Sequence, residues 1–188
     1  MNEKLNYADD SAKIKKMVFA SLFAALIAVG AFIKIPTFLG VPITLQTFFV
    51  LLAAVILGKN WGTVSIIVYL IVGFVGFPVF AGGNSGFSIL FGPTGGYLYS
   101  FILVVFLVGW MSNLVRKKTP AVLFGIAAFG SILILLIGSI HLSFSSGISL
   151  LTAFEGGFLP FFPGDMLKSV MVGLVAPAFI KKVNFGDF

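Results

Sequence analysis

A chain of 188 residues of which 59% are hydrophobic and only 10% charged is not an ordinary water-soluble domain, in which about a quarter of the residues carry charge. With a mean hydropathy of +1.14 its solvent is lipid, and its length allows several spans of about 20 residues joined by short loops. The absence of cysteine excludes disulfides, thiolate metal sites and thiol catalysis, and the net charge of +6 invites a nucleic-acid reading that the placement of the charges overrides.

The first sixteen residues are polar and charged. They read as a leader on the cytoplasmic side rather than a signal peptide, because the apolar stretch after them is long and no small-residue cleavage site stands out. Predominantly apolar stretches then predict six spans, at about 17–35, 43–57, 61–77, 96–113, 121–140 and 166–180, each near or slightly under the length needed to cross. The predicted fold class is an all-α membrane protein: one domain, a six-helix bundle with ordered outer loops at 78–95 and 141–164 and both termini cytoplasmic.

In the first span Ala20, Ala24 and Ala28 recur every fourth residue, so three small side chains share one helix face and let another helix approach closely. The spacing by itself favours packing within this chain's own bundle over docking to a separate membrane subunit. Lys34, at the outer end of this span, is expected to snorkel to the headgroups. Thr44 and Gln46 follow Pro42 at the outer end of the second span, and Gly58-Lys59-Asn60 makes a short basic inner turn before Trp61.

The loop at 78–95 is rich in Gly and Pro yet also in Phe, which a merely solvated loop avoids, so it is expected to fold back over the bundle. Gly82, Gly83 and Gly86 permit backbone conformations closed to other residues and a near approach to a ligand. Asn84 offers a planar amide either to a tight turn or to a ligand, and the local sequence leaves both open. Tyr97 opens the fourth span at its outer end and Trp110 lies at its inner end, before the basic turn of residues 116–120.

The loop at 141–164 ends in Phe158-Leu159-Pro160-Phe161-Phe162-Pro163-Gly164-Asp165-Met166-Leu167-Lys168. Asp165 and Lys168 fall one helical turn apart on one face, the only opposite charges at such spacing in the apolar region. A carboxylate can cap a helix start and a lysine can neutralise it, but ionisable residues near a membrane are costly and by default functional. His141 and Glu155 read as a solvated outer pair, and no metal site or cofactor is expected.

With the amino terminus inside, Lys4, Lys13, Lys15, Lys16, Lys59, Arg116, Lys117, Lys118, Lys181 and Lys182 all lie on the cytoplasmic side, which is ten of the twelve basic residues. That is a strong positive-inside asymmetry, and Trp61 and Trp110 fall at the same interface. The charge is thus explained by a membrane, without a nucleic-acid partner.

The runs Pro42-Ile43-Thr44-Leu45-Gln46-Thr47, Gly76-Phe77-Pro78-Val79-Phe80-Ala81-Gly82-Gly83, Gly92-Pro93-Thr94-Gly95-Gly96-Tyr97-Leu98 and Phe162-Pro163-Gly164-Asp165-Met166-Leu167-Lys168, in this order within a six-span frame, resemble the BioY family. That family supplies the biotin-binding S components of energy-coupling factor (ECF) vitamin transporters. The resemblance covers essentially the whole chain. It implies a biotin-binding protein of the cell membrane, with no enzymatic activity, that associates with a transmembrane coupling subunit and a pair of ATPase subunits.

The sequence has no G-x-x-x-x-G-K-[ST] phosphate loop, so the energy must come from such a partner. The resemblance also makes Ala20, Ala24 and Ala28 a docking face for the coupling subunit, against the reading from spacing alone.

Biotin carries a ureido ring with two N–H donors and a carbonyl, an apolar sulfur ring and a valerate carboxylate. The resemblance implies that Asp165 and Asn84 pair with the ureido group, that Lys168 meets the carboxylate or anchors Asp165, and that Phe80, Tyr97 and Phe161 wall the rings and tail. Gln46 and Gly83 complete the expected site. An S component for riboflavin or thiamine is the competing reading, and a membrane-embedded enzyme is a more distant one, for which no nucleophile–base pair or carboxylate-rich metal motif is present.

Overall fold

A computed structural model describes residues 2–37 and 39–183 of the chain. Seven helices and one minimal strand pair follow in order: α1 (Asn2–Phe32), β1 (Lys34–Ile35), β2 (Ile43–Thr44), α2 (Gln46–Phe74), α3 (Phe87–Phe91), α4 (Gly95–Leu114), α5 (Pro120–Ser146), α6 (Leu150–Gly157) and α7 (Phe162–Val183). The fold is helical as expected, apart from the antiparallel pairing of Lys34 with Thr44 and of Ile35 with Ile43. The leader does not stand apart, because α1 runs without a break from Asn2 into the first apolar stretch.

Five helices among the described residues are long and apolar enough to cross a membrane. The expected spans 43–57 and 61–77 are the two arms of one of them. Gly58 interrupts α2 with φ 69° and ψ −174°, a conformation only glycine adopts readily. The arms double back there: the Gln46 amide reaches the Tyr69 hydroxyl at 2.5 Å, whereas residues 23 apart on a straight helix are separated by about 35 Å. A side chain at position 58 would also strike Asn113, its Cβ coming within 2.9 Å of the carboxamide oxygen.

The first arm is the hub. Val50 to Leu57 are buried without interruption, because α1 packs on α2, α2 on α4, α4 on α5, α5 on α7, and α7 returns to α2. Buried hydroxyls within this apolar core all find acceptors, as a water-free surrounding requires: Ser65 donates to the Gly62 carbonyl, Ser112 to the Val55 carbonyl, and Ser131 and Ser169 meet at 3.0 Å.

Local chemistry sets the helix ends. α5 starts on a Thr119 cap with Pro120 in its first turn and stops at Gly147, whose φ is 65°. α7 begins at Phe162, four residues before the expected span, since Pro163 is tolerated where its missing N–H has no helical partner. Both expected outer loops are ordered by short helices, α3 in one and α6 in the other, the latter capped by Ser149. The basic turn after Leu57 and the end of α4 meet at one end of the bundle, where Lys16, Leu57, Lys59, Asn60, Trp61 and Asn113 share a small recess.

Candidate functional site

At the other end lies a cavity of about 330 Å³, within the size range of small-molecule sites. It is lined from four directions: the 34–47 segment, the 80–101 region, Ile134 and Leu135 of α5, and Phe161, Asp165 and Lys168 at the start of α7. Most of its wall is apolar, and Thr44, Thr47, Asp165 and Lys168 form a polar cluster where α2 and α7 meet.

That junction is a closed network around Asp165, which is 1% exposed. Lys168 donates to Asp165 Oδ1 at 2.6 Å, to the Thr47 hydroxyl at 3.0 Å and to the Thr44 carbonyl at 2.6 Å. The three donors of its ammonium group are therefore all engaged within the chain. Thr47 passes the network on by donating to the same Asp165 Oδ1 at 3.0 Å. Asp165 Oδ2 is different: among the described residues it is the one buried side-chain polar atom without a partner. An ionised carboxyl oxygen left so in an apolar surrounding is costly unless a donor arrives to meet it.

A second chain of hydrogen bonds ties the cavity wall together. Thr44 donates to the Gln46 side-chain oxygen at 3.0 Å, Gln46 donates to the Tyr69 hydroxyl, and Tyr69 donates to the Val79 carbonyl at 3.2 Å. Gln46 is thus a wall residue whose amide already holds the arms of α2 to the 78–95 loop.

The aromatic wall is set by glycines on the facing helices. Phe80 is fully buried, edge-on to Tyr69 with ring centroids 5.6 Å apart, and a Cβ on Gly73 would sit 2.1 Å from its Cζ. Tyr97 and Phe161 stack at 6.1 Å, the Tyr97 hydroxyl donates to the Gly157 carbonyl at 2.8 Å, and a Cβ on Gly138 would press on the Tyr97 ring at 2.2 Å.

Of the residues expected at the site, Gln46, Phe80, Asn84, Tyr97, Phe161, Asp165 and Lys168 all line this one cavity. Gly83 does not, although its φ of 76° serves the turn that carries Asn84. Asn84 takes up the turn reading in part: its amide donates to the Ala81 carbonyl at 2.8 Å and its own carbonyl accepts from Phe80 N–H at 2.9 Å, while the residue stays exposed at the cavity's edge.

Lys34, expected to snorkel to the headgroups, is exposed and also lines the cavity. One expectation changes: His141 is half-buried with its Nε2 3.1 Å from the Gly92 carbonyl, so it forms no solvated pair with Glu155. Among the described residues no three His, Cys, Asp or Glu side chains gather as a metal site would require.

Ala20 and Ala24 are buried in the chain's own core, and Ala28 packs half-buried against it. Pro36, Thr37, Leu39, Gly40, Val41 and Pro42 also line the wall, and so does Thr47, none of which was expected at the site. The Thr47 hydroxyl, three places past Thr44, the first polar residue of the expected span, was the available signal.

A sequence model of the BioY family matches residues 1–185. The chain is 40% identical to the biotin transporter BioY of Thermotoga maritima over 87% of its own length and 94% of that protein's. It is 37% identical to the biotin transporter BioY2 of Lactococcus lactis subsp. cremoris, over 93% of this chain and 94% of the relative. The solved S-component for biotin from an ECF-type ABC transporter superposes with a TM-score of 0.82 at 32% identity, covering 90% of this chain and 92% of that one.

Proposed function

The chain belongs to the BioY family, and from that premise we propose that it is the biotin-binding S component of an ECF-type transporter, with the cavity between α2 and α7 as its vitamin site. Such a protein is a membrane-embedded binding and transport subunit and not an enzyme.

The observation that carries the site is Asp165 Oδ2, a buried acceptor with no partner on a residue lining a cavity of vitamin size. A ureido N–H is the donor it lacks. Lys168 is read as the anchor of Asp165 and not as a ligand contact, because its donors are already used. Asn84, exposed beside the turn of residues 80–84, keeps its side-chain oxygen for the second ureido N–H, and Phe80, Tyr97 and Phe161 enclose the rings and the tail.

Six crossings with both termini cytoplasmic follow if each arm of α2 counts as one. Ten of twelve basic residues on one side support that orientation, in which the cavity faces outside. The chain is then a single multi-pass domain of the cell membrane. With no phosphate-loop motif of its own, it relies on a transmembrane coupling subunit and ATPase subunits. Docking along α1 uses the face left open by this chain's own packing, on which Leu22 and Val29 are exposed, while Ala20 and Ala24 bring α1 against α2 from within.

Titrating detergent-purified protein with biotin tests the site. Asp165→Asn turns an acceptor into a donor facing a donor and is expected to cost on the order of 10³- to 10⁴-fold in affinity, with Glu155→Ala close to wild type. Wild-type affinity in Asp165→Asn, or displacement of biotin by riboflavin or thiamine at comparable concentration, would refute the assignment.

A further inference from the structure

We propose that Lys34 holds the carboxylate of the bound vitamin at the mouth of the cavity. The inference deepens the biotin reading and rests on it. Two cations line the cavity, Lys34 and Lys168. Lys168 has no donor left to give, since its three N–H groups meet the Thr44 carbonyl, Thr47 and Asp165. Lys34 forms no salt bridge with the described acids, and Asp165, the acid that lines the cavity, is paired with Lys168.

The two lysines also sit at different depths. Asp165 is almost fully enclosed, whereas Lys34 is exposed while still lining the same space. A ligand whose ureido ring reaches Asp165 Oδ2 must direct its valerate tail away from that closed end, toward the opening where Lys34 stands.

The backbone that carries Lys34 is held in place by its neighbours. Its strand pairs antiparallel with β2, Lys34 lying opposite Thr44, and the Thr44 carbonyl is itself held by Lys168. Leu45 N–H, one residue on, donates to the Gly30 carbonyl at 3.1 Å, which ties this hairpin to the end of α1. The Lys34 ammonium lies against Gly82, where an added Cβ would come within 2.3 Å of Nζ. Gly82 therefore leaves the room in which the ammonium rests, above the turn that carries Asn84. An ammonium on a fixed strand at an apolar mouth is suited to a carboxylate, and a charge-assisted hydrogen bond there outweighs a neutral one.

The test compares biotin with biotin methyl ester, which keeps the rings and tail and lacks the charge, on purified wild type, Lys34→Gln and Lys34→Arg. Wild type should bind biotin about tenfold or more tightly than the ester, the size expected of one hydrogen bond to a charged group. Lys34→Gln should lose that preference by weakening biotin alone, with the ester within about twofold of wild type, and Lys34→Arg should keep it.

Equal weakening of both ligands by Lys34→Gln would mean a structural role and overturn the proposal. So would an unchanged preference, which is what a lysine serving the headgroups gives. If wild type binds the two ligands alike, Lys34 is not a carboxylate anchor but the biotin site stands. If wild type binds no biotin at all, the vitamin assignment falls and takes this inference with it.

Discussion

Replacing Lys168 by Met tests the polar junction of α2 and α7 most sharply. The ammonium makes three hydrogen bonds, to Asp165 Oδ1 at 2.6 Å, the Thr44 carbonyl at 2.6 Å and Thr47 at 3.0 Å, and its side chain is 12% exposed against 2% for that of Asp165. Removing it leaves a buried carboxylate with Oδ2 unpartnered and Oδ1 held only by the Thr47 hydroxyl. Breaking a buried pair from one side costs about 3–5 kcal/mol, because the remaining charge stays desolvated, whereas replacing both partners by apolar groups of similar size is often neutral.

Lys168→Met is therefore expected to destabilise the protein by about 3–5 kcal/mol, and Asp165→Leu combined with Lys168→Met to restore most of that loss, while biotin binding is lost in both. Unfolding in mixed micelles with increasing SDS measures the first quantity and calorimetric titration the second. A loss below about 1 kcal/mol for the single variant, or a double variant no more stable than the single, would refute the buried-pair reasoning.

Two further outcomes follow from the geometry. Thr47→Val keeps the shape but removes the hydroxyl that bridges Lys168 and Asp165, so biotin affinity should fall about tenfold by titration, the worth of one charge-assisted bond that positions the carboxylate. Gly73→Ala places a Cβ about where the Phe80 ring now stands, so the ring must leave the cavity wall; a loss of about 1–3 kcal/mol in SDS unfolding should accompany weaker binding, and Gly164→Ala, with open space around it, should show neither.

Much of the helical frame was legible in the chain. The expected span at 96–113 differs from α4 by one residue at each end, because a run of apolar residues between Gly95 and the basic turn leaves little choice. α5 runs six residues past its expected end, through Ser143, Ser145 and Ser146, whose polarity reads as loop. Two of those hydroxyls donate to nearby carbonyls, Ser143 to Ile148 and Ser145 to Leu142, and so cost the segment little. The pairing of Asp165 with Lys168 was legible as well, since helical geometry alone brings residues three apart together.

The remainder depended on contacts that no local pattern reports. Thr47 reaches Asp165 across 118 residues of chain, Lys168 reaches Thr44 across 124, and Tyr97 reaches Gly157 across 60. The place of Lys34 in the cavity lining is of the same kind: a lysine after an apolar span points to headgroups by default, and its nearness to Gly82, 48 residues further on, has no local signal.

By itself the sequence determined the apolar, membrane-spanning character, the existence of most helices and the ion pair at the head of α7, because lipid burial and helical periodicity act on neighbouring residues. Only the tertiary structure decided that Gly58 folds one helix into two antiparallel arms, that Lys168 spends its donors inside the chain, and that one buried oxygen of Asp165 is left without a partner. Those outcomes follow from which distant groups satisfy one another once water is excluded, and that is a property of the packed bundle and not of any stretch within it.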